Sequence, residues 1–227
     1  MEPTILHEDR QLLVAVKPPG MPSQPDPSGQ PDLFTTLAAS RPGLRLLHRL
    51  DTPTGGLILF GKTPSAAANL SAQLQDHAHC IKEYLCVLPA PPGEPEGTLT
   101  DYLYHDKRSN KTFPVAPPSE GAVPRQGVKQ ARLTYRTLAT DGEGNTLLRV
   151  RLLTGRTHQI RAQFAARGLP LLGDGKYGSR RKLPCFALWS FRLTFAHPAT
   201  GGTMTFTAPP DTGKAPWDAF GEEAYAP

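Results

Sequence analysis

Apolar and polar positions along this chain fall into short runs, most of them strand-sized, separated by stretches rich in proline and glycine. Between Ile5 and Val16 two apolar runs flank the polar stretch His7-Glu8-Asp9-Arg10-Gln11, which predicts a strand, a turn and a second strand. A mixed apolar and basic run from Leu44 to Leu50 leads into a turn of Thr, Pro and Gly residues, and Leu57 to Phe60 then reads as a buried strand. Ile81 to Leu88 and Thr98 to Tyr104 read as strands too. Ala131 to Ala139 and Leu147 to Leu153 are predicted to pair antiparallel across the turn Asp141-Gly142-Glu143-Gly144-Asn145. Ala187 to Ala196 and Thr203 to Thr207 close as a hairpin across Pro198 to Gly202.

Helical periodicity is rarer. Asp32 is placed to cap a helix through Ser40 that Pro42 and Gly43 end. Thr63 followed by Pro64 opens a second helix, expected to run to about His79, with Leu70 and Leu74 at i and i+4 on the face that packs against a sheet. A third is expected from about Arg156 to Arg167, closed by Gly168, with Ile160 and Phe164 inward and His158 and Arg161, three apart, sharing another face. Proline excludes a helix from 18 to 31, and 89 to 97, 114 to 126 and the stretch after Thr207 are turn-rich or proline-rich as well. Strands joined mostly by turns point to an α+β fold around a largely antiparallel sheet, without internal repeats. One domain is expected over residues 1–227, with its core at about 12–210 and a carboxy-terminal tail at 211–227.

Composition narrows the function classes without choosing among them. The 25 Lys and Arg against 20 Asp and Glu give a net charge of +5, compatible with a polyanionic partner and equally with many basic enzymes. No basic cluster is followed by an amino-terminal apolar run, and no stretch approaches the roughly 18 apolar residues of a membrane span, so a soluble cytoplasmic protein with no membrane partner is expected. The three cysteines, Cys80, Cys86 and Cys185, include no Cys-x-x-Cys pair and read as reduced thiols. His77, His79 and Cys80 lie close together, but positions i and i+2 point to different sides of a helix, and no metal is expected there.

The residue with the most chemical promise is Asp51, delivered to a strand end with a basic residue two positions before it and no acidic neighbour. Two readings stand side by side: a carboxylate serving a loop-built site, or an Asp that caps its own turn through Thr54 and Gly55. Tyr84 is either a half-buried strand tyrosine or a site residue, and Arg161 either an exposed helical arginine or part of a site. The basic runs at Lys107-Arg108 with Lys111, and at Arg180-Arg181-Lys182, are either solvated loops or contacts to phosphates.

His48-Arg49-Leu50-Asp51 followed by Thr52-Pro53-Thr54-Gly55-Gly56-Leu57 resembles the catalytic motif of the RluA-type pseudouridine synthases, His-Arg-Leu-Asp-x-x-Thr-Ser-Gly-Leu. Lys82-Glu83-Tyr84 resembles that family's Lys-x-Tyr strand. Thr154-Gly155-Arg156-Thr157-His158-Gln159-Ile160-Arg161 resembles its third motif, with Leu172-Gly173-Asp174 and Tyr177-Gly178 following in order. Lys17-Pro18-Pro19-Gly20 is similar to a Lys-Pro-x-Gly loop near the family's site. The resemblance runs from Leu12 to about Pro210. It implies the pseudouridine synthase catalytic fold, a bent, largely antiparallel mixed sheet with flanking helices and a central cleft, and the isomerisation of uridine to pseudouridine in ribosomal or transfer RNA.

That reaction breaks the N1–C1′ glycosidic bond, turns the uracil and joins C5 to C1′; with no redox change, no cofactor is expected. It needs a carboxylate near C1′, and the resemblance implies that Asp51 is that group. It further implies that Arg161 holds the carboxylate ionised, that Tyr84 stacks on the uracil, and that Arg49 fills the space left when the nucleotide flips out, although a phosphate-binding Arg49 serves nearly as well. His48, Lys82, Arg156 and His158 join Lys107, Arg108, Lys111, Arg180 and Arg181 as RNA-binding candidates. The chain departs from the family in two places: Gly55 stands where Ser is usual, and Leu188-Trp189-Ser190 where Leu-His-Ala is frequent. A small S4 RNA-binding domain, which many relatives carry, is not expected before Ile5, so target choice is expected to rest with the catalytic domain. A monomer with RNA as its partner and no obligatory protein partner is the expectation. The competing reading is a non-catalytic RNA-binding or RNA-chaperone protein on the same fold. A glycosidase lacks a convincing second carboxylate.

Overall fold

The computed structural model describes residues 3–76, 79–119 and 123–226. The chain divides into two compact units: Met1–Tyr84 with Leu188–Pro227, and Leu85–Ala187.

In the first unit the strands are β1 (Thr4–Glu8), β2 (Leu12–Lys17), β3 (Arg45–Leu46), β4 (Gly55–Gly61), β10 (Leu188–Ala196) and β11 (Thr203–Thr207). They lie in the order β1-β2-β4-β10, with β11 on β10 and β3 on β4. All these pairs are antiparallel except β4 with β10, which is parallel. The predicted hairpins at both ends of the chain are present. Successive residues of β2 and β4 feed two different cores. Leu12, Val14, Leu57 and Leu59 pack with Leu70 and Leu74 of helix α2 (Pro64–Gln75) and with Leu193 and Phe195. Leu13, Ala15, Ile58 and Phe60 pack on the opposite face with Leu33 and Leu37 of helix α1 (Leu33–Ala38) and with Leu44. A sheet covered on both faces requires continuous apolar runs, which is why these strands show no clean alternation. Asp32 caps α1 as expected, accepting from Thr35 N–H at 2.9 Å, and the Thr63 hydroxyl accepts from Ala66 N–H at 3.1 Å to cap α2. Helix α2 ends at Gln75, earlier than the expected His79; His77, on which the dismissed metal cluster also rested, lies outside the described residues.

The strand β5 (Ile81–Leu88) has the predicted bounds; its first four residues belong to the first unit and its last four to the second. The second unit continues with β6 (Glu96–Asp106), β7 (Lys111–Val115), β8 (Val128–Thr140) and β9 (Thr146–Leu152), antiparallel in the order β9-β8-β6-β7, and with helix α3 (Gln159–Ala165). Helix α3 begins three residues later than expected because His158 adopts φ 53°, a left-handed conformation that the first turn of a helix cannot include. The few helices against a mixed, largely antiparallel sheet make the fold α+β.

The stretch after Thr207 corrects the expectation of a bare proline-rich tail. Short 3-10 turns at Trp217–Ala219 and Glu222–Tyr225 bury Trp217, Phe220 and Tyr225, and the Tyr225 hydroxyl donates to the Trp217 carbonyl. No helix among the described residues is long and apolar enough to cross a membrane.

Candidate active-site residues

Asp51 sits in a turn between β3 and β4 that is fastened at both of its neighbours. The buried Ser23 hydroxyl donates to the Leu50 carbonyl at 2.8 Å and accepts from Leu50 N–H at 3.1 Å. On the other side, the Thr52 carbonyl accepts from Gly20 N–H at 2.9 Å and from the Lys17 ammonium at 3.0 Å. Lys17 is fully buried and donates also to the carbonyls of Pro18 and Met21, at 3.0 and 2.6 Å. A buried ammonium is tolerable only when its donors are used, and here they tie the proline-rich loop to the turn. Thr54 N–H closes the turn onto the Asp51 carbonyl at 2.9 Å. The residue itself is partly exposed.

His48 precedes this turn in the same unit, and Lys82 lies near enough to His48 for its charge to act on the ring. Where β3 ends, the His48 ring takes over from the strand ladder: Nε2 accepts from Leu59 N–H at 3.1 Å. The residue keeps some exposure at its edge, but desolvation of the ring, with the Lys82 charge adding to it, lowers the His48 pKa to about 3, so the imidazole is neutral. The Lys82 ammonium donates to the Leu74 carbonyl in the last turn of α2 at 2.8 Å, and burial lowers its pKa as well. Both side chains therefore have structural duties: one completes a strand edge, the other caps a helix end. Arg49, next to His48 in the motif, is exposed.

Tyr84 is 8% exposed on β5. Burial, its largest influence, pushes its pKa up to about 12; a hydrogen bond with Ser190 acts the other way, and the negative charge of Asp51 adds to the rise. The carboxylate and the phenol are thus electrostatic neighbours. Ser190 and Trp189 of β10 pair with Gly56 and Gly55 of β4. The approach is so close that a Cβ on Gly55 would lie 2.2 Å from Cζ3 of Trp189, and one on Gly56 would lie 2.2 Å from the Ser190 carbonyl oxygen. Two of the family departures, Gly55 and Trp189, are therefore one packing arrangement: the indole occupies the volume of the missing side chain.

In the second unit Arg161 is buried on α3 and fully gripped. Its Nε and Nη2 donate to the two carboxylate oxygens of Asp174 at 2.7 and 3.0 Å, a bidentate pair. Its guanidinium carbon lies 4.2 Å from the ring centre of Phe186 and 4.9 Å from that of Tyr177. His158 does not share a helix face with Arg161 as expected, since it lies outside α3, yet both reach Tyr177: His158 Nδ1 is 3.0 Å from the Tyr177 hydroxyl, which accepts from Thr112 N–H at 2.8 Å. Asp174, Tyr177 and Phe186 were not assigned roles from sequence, although Asp174 and Tyr177 stand in the Leu-Gly-Asp and Tyr-Gly blocks.

The remaining basic candidates lie in this unit. Lys107 and Arg108 are exposed in the turn between β6 and β7, and Lys111 sets its ammonium 5.5 and 5.2 Å from the ring centres of Phe113 and Tyr177. Arg156 is exposed, with Nε donating to the Gln130 carbonyl at 3.0 Å. Arg180 is exposed, and Arg181, also exposed, pairs with Glu143 at 2.5 Å. Charge divides sharply: Leu85–Ala187 holds 16 Lys and Arg against 8 Asp and Glu, net +8, while the rest holds 9 against 12, net −3. The overall excess of +5 understates the positive charge that one unit carries.

Comparison with known proteins adds the following. A family model described as RNA pseudouridylate synthase matches residues 11–166. The chain is 30% identical over 212 residues to the dual-specificity RNA pseudouridine synthase RluA of Escherichia coli K12, covering 91% of this chain and 93% of that protein. It is 32% identical over 222 residues to an uncharacterized RNA pseudouridine synthase of Synechocystis, covering 90% of this chain but 64% of that protein's length. Among solved structures, human RNA pseudouridylate synthase domain containing 1 superposes with a TM-score of 0.77 over 96% of this chain and 87% of its own, at 23% identity, a likeness of fold.

Proposed function

The chain belongs to the RNA pseudouridylate synthase family, a family of isomerases, and from that premise we propose that it converts a specific uridine of a ribosomal or transfer RNA to pseudouridine, with Asp51 as the catalytic carboxylate. The observation that carries the reading is the turn at Asp51: Leu50 and Thr52 are both fastened on either side of this partly exposed residue, which gives the main chain the fixed geometry that a preorganised nucleophile or base requires. The N1–C1′ bond breaks, C1′ is joined to C5, and the C5 hydrogen leaves as a proton while N1 gains one. No electrons are exchanged.

In this reading Tyr84 offers its ring to the uracil, and Arg49, exposed beside the turn, enters the stack when the nucleotide flips out. Arg161 supplies the charge that keeps the carboxylate ionised; its place in the third motif and the rigidity with which Asp174, Tyr177 and Phe186 hold its guanidinium support the role. The concentration of positive charge in Leu85–Ala187 suits a phosphate backbone that is followed rather than read. The family match at 11–166 runs through both units, which supports one catalytic domain.

Release of tritium from RNA labelled at uracil C5 reports the reaction directly, because the new bond expels that hydrogen. Asp51→Asn is expected to fold and bind RNA but release none. Wild-type release by Asp51→Asn overturns the assignment.

A further inference from the structure

Strands β6, β7 and β8 present two unlike faces. Leu103, Thr112 and Ala131 are buried on one of them, where Leu103 and Ala131 pack with Ala162 of α3. The other face carries Tyr104 and Phe113, directly opposite each other across the β6–β7 ladder, with Val128 of β8 opposite Tyr104 on its far side. Tyr104 is 41% exposed, Phe113 40%, and Val115, two positions further along β7, 36%. A cross-strand aromatic pair steadies a hairpin, but large apolar side chains left open side by side mark an interaction surface. The Tyr104 ring is also held in place. A Cβ on Gly127 would lie 3.3 Å from Tyr104 Cε2, so the glycine lets the main chain close on the ring.

Positive charge surrounds these rings. From Tyr104 to Arg132 the chain holds six Lys and Arg, at 107, 108, 111, 125, 129 and 132, against Asp106 and Glu120, net +4. The Lys111 ammonium stands 5.5 Å from the ring centre of Phe113, Arg125 lines a groove together with Tyr104 and Val115, and Arg132 is exposed on the same face of β8 as Val128. We propose that this face is a stacking platform for unpaired RNA, in which bases of a single strand lie on Tyr104 and Phe113 while Lys111, Arg125 and Arg132 meet the phosphates between them. Every base has a π-face, and only an unpaired one can lay it on a side chain. The proposal rests on the reading of the chain as an RNA-modifying enzyme, and it narrows the substrate to RNA that offers unpaired bases besides the target uridine. A strand from another protein is the less fitting occupant, because Lys111 and Pro114 blunt the open edge of β7 and the local charge favours a polyanion.

The test measures fluorescence anisotropy of a labelled single-stranded RNA of about 12 nucleotides, and of the same strand annealed to its complement, over a range of salt. Tyr104→Leu and Phe113→Leu keep apolar bulk in the hairpin and remove the aromatic face; folding is checked by circular dichroism. Each is expected to weaken single-strand binding on the order of tenfold, with the salt slope and duplex binding unchanged. Tyr104→Phe and Phe113→Tyr should bind as the wild type does. Arg125→Ala should instead lower the salt slope by about one. Wild-type single-strand affinity in both leucine variants overturns the proposal, as does an equal loss on the duplex. So does a wild-type dimer, seen by light scattering, that the leucine variants dissociate, since the face would then be a contact between copies. Tritium release by the wild type separates the two readings: release alongside silent leucine variants removes only the platform, whereas ring-dependent binding without release supports the platform and removes the proposed function.

Discussion

Replacing Gly55 by alanine puts a methyl group where the ring of Trp189 already lies. The added Cβ would stand 2.2 Å from Cζ3, 2.6 Å from Cε3 and 3.1 Å from Cη2, so the ring must move by more than an ångström. It is poorly placed to do so, since it is buried and its indole N–H donates to the Ala208 carbonyl at 2.7 Å. Overpacking costs about 1–3 kcal/mol, and pulling the indole off its acceptor adds roughly 1 kcal/mol, which brings Gly55→Ala to about 2–4 kcal/mol. For a chain of this size each kcal/mol moves the melting temperature by roughly 2–4 °C, so a fall of roughly 4–16 °C is expected. Trp189→His alone should cost a comparable amount through the emptied volume. Together, Gly55→Ser and Trp189→His, which restore the residues frequent in the family, should cost less than their sum by about 1–3 kcal/mol, because the smaller ring vacates the space that the new side chain needs. Thermal and urea unfolding followed by far-UV circular dichroism measures Gly55→Ala, the two single variants of the cycle and the double variant. A Gly55→Ala protein that melts with the wild type, or a strictly additive cycle, would show that the two positions do not exclude one another.

Two further outcomes are expected. Asp174→Asn takes the carboxylate of the bidentate pair from the buried Arg161 guanidinium, so stability should drop by about 3–5 kcal/mol, whereas Arg161→Lys should keep more stability but lose activity because an ammonium has no planar fork; equal effects of the two on both readouts would refute the clamp. His48, held neutral with a pKa of about 3 against an unfolded value near 6.5, takes its proton only in the unfolded state between those limits, so stability should fall as pH drops below 6.5, by about 2 kcal/mol at pH 5, while nothing changes above pH 7. His48→Gln, which keeps an acceptor for Leu59 N–H, should flatten that slope, and parallel curves for the two proteins from pH 7 to 5 would sink the explanation.

Local signals were legible wherever local physics decided the outcome. The bounds of β5 and β11 follow from apolar or β-branched runs between turn residues, and the Asp141–Asn145 turn is written in its Asp, Gly and Asn residues, with the Asp141 side chain accepting from Glu143 and Asn145 N–H. β7 escaped notice because it carries Lys111 and Pro114; an edge strand tolerates both, since Pro114 needs no N–H on its open side. The buried tail escaped for the opposite reason: its aromatics are scattered among prolines and glycines with no period to reveal them. Among the site candidates, the motif positions stood out, but what holds them did not. Ser23 and Lys17 act on main-chain carbonyls, which leave no trace in side-chain pattern, and Asp174 reaches Arg161 through a fold that spacing alone does not specify.

The buried ammonium of Lys17 also sets where this chain can change its length. Prolines 18, 19 and 22 bring carbonyls without amide hydrogens, and one lysine stands in for several missing donors at once. Adding or removing a residue between Lys17 and Ser23 would carry the Met21 carbonyl off the ammonium and the Ser23 hydroxyl away from Leu50 in a single event. A few residues later, from Pro25 to Pro31, the chain is mostly exposed and little is fastened to it. Insertions and deletions in descendants of this sequence should therefore collect after Ser23 and stop short of it, leaving a segment of constant length in front of a segment free to drift.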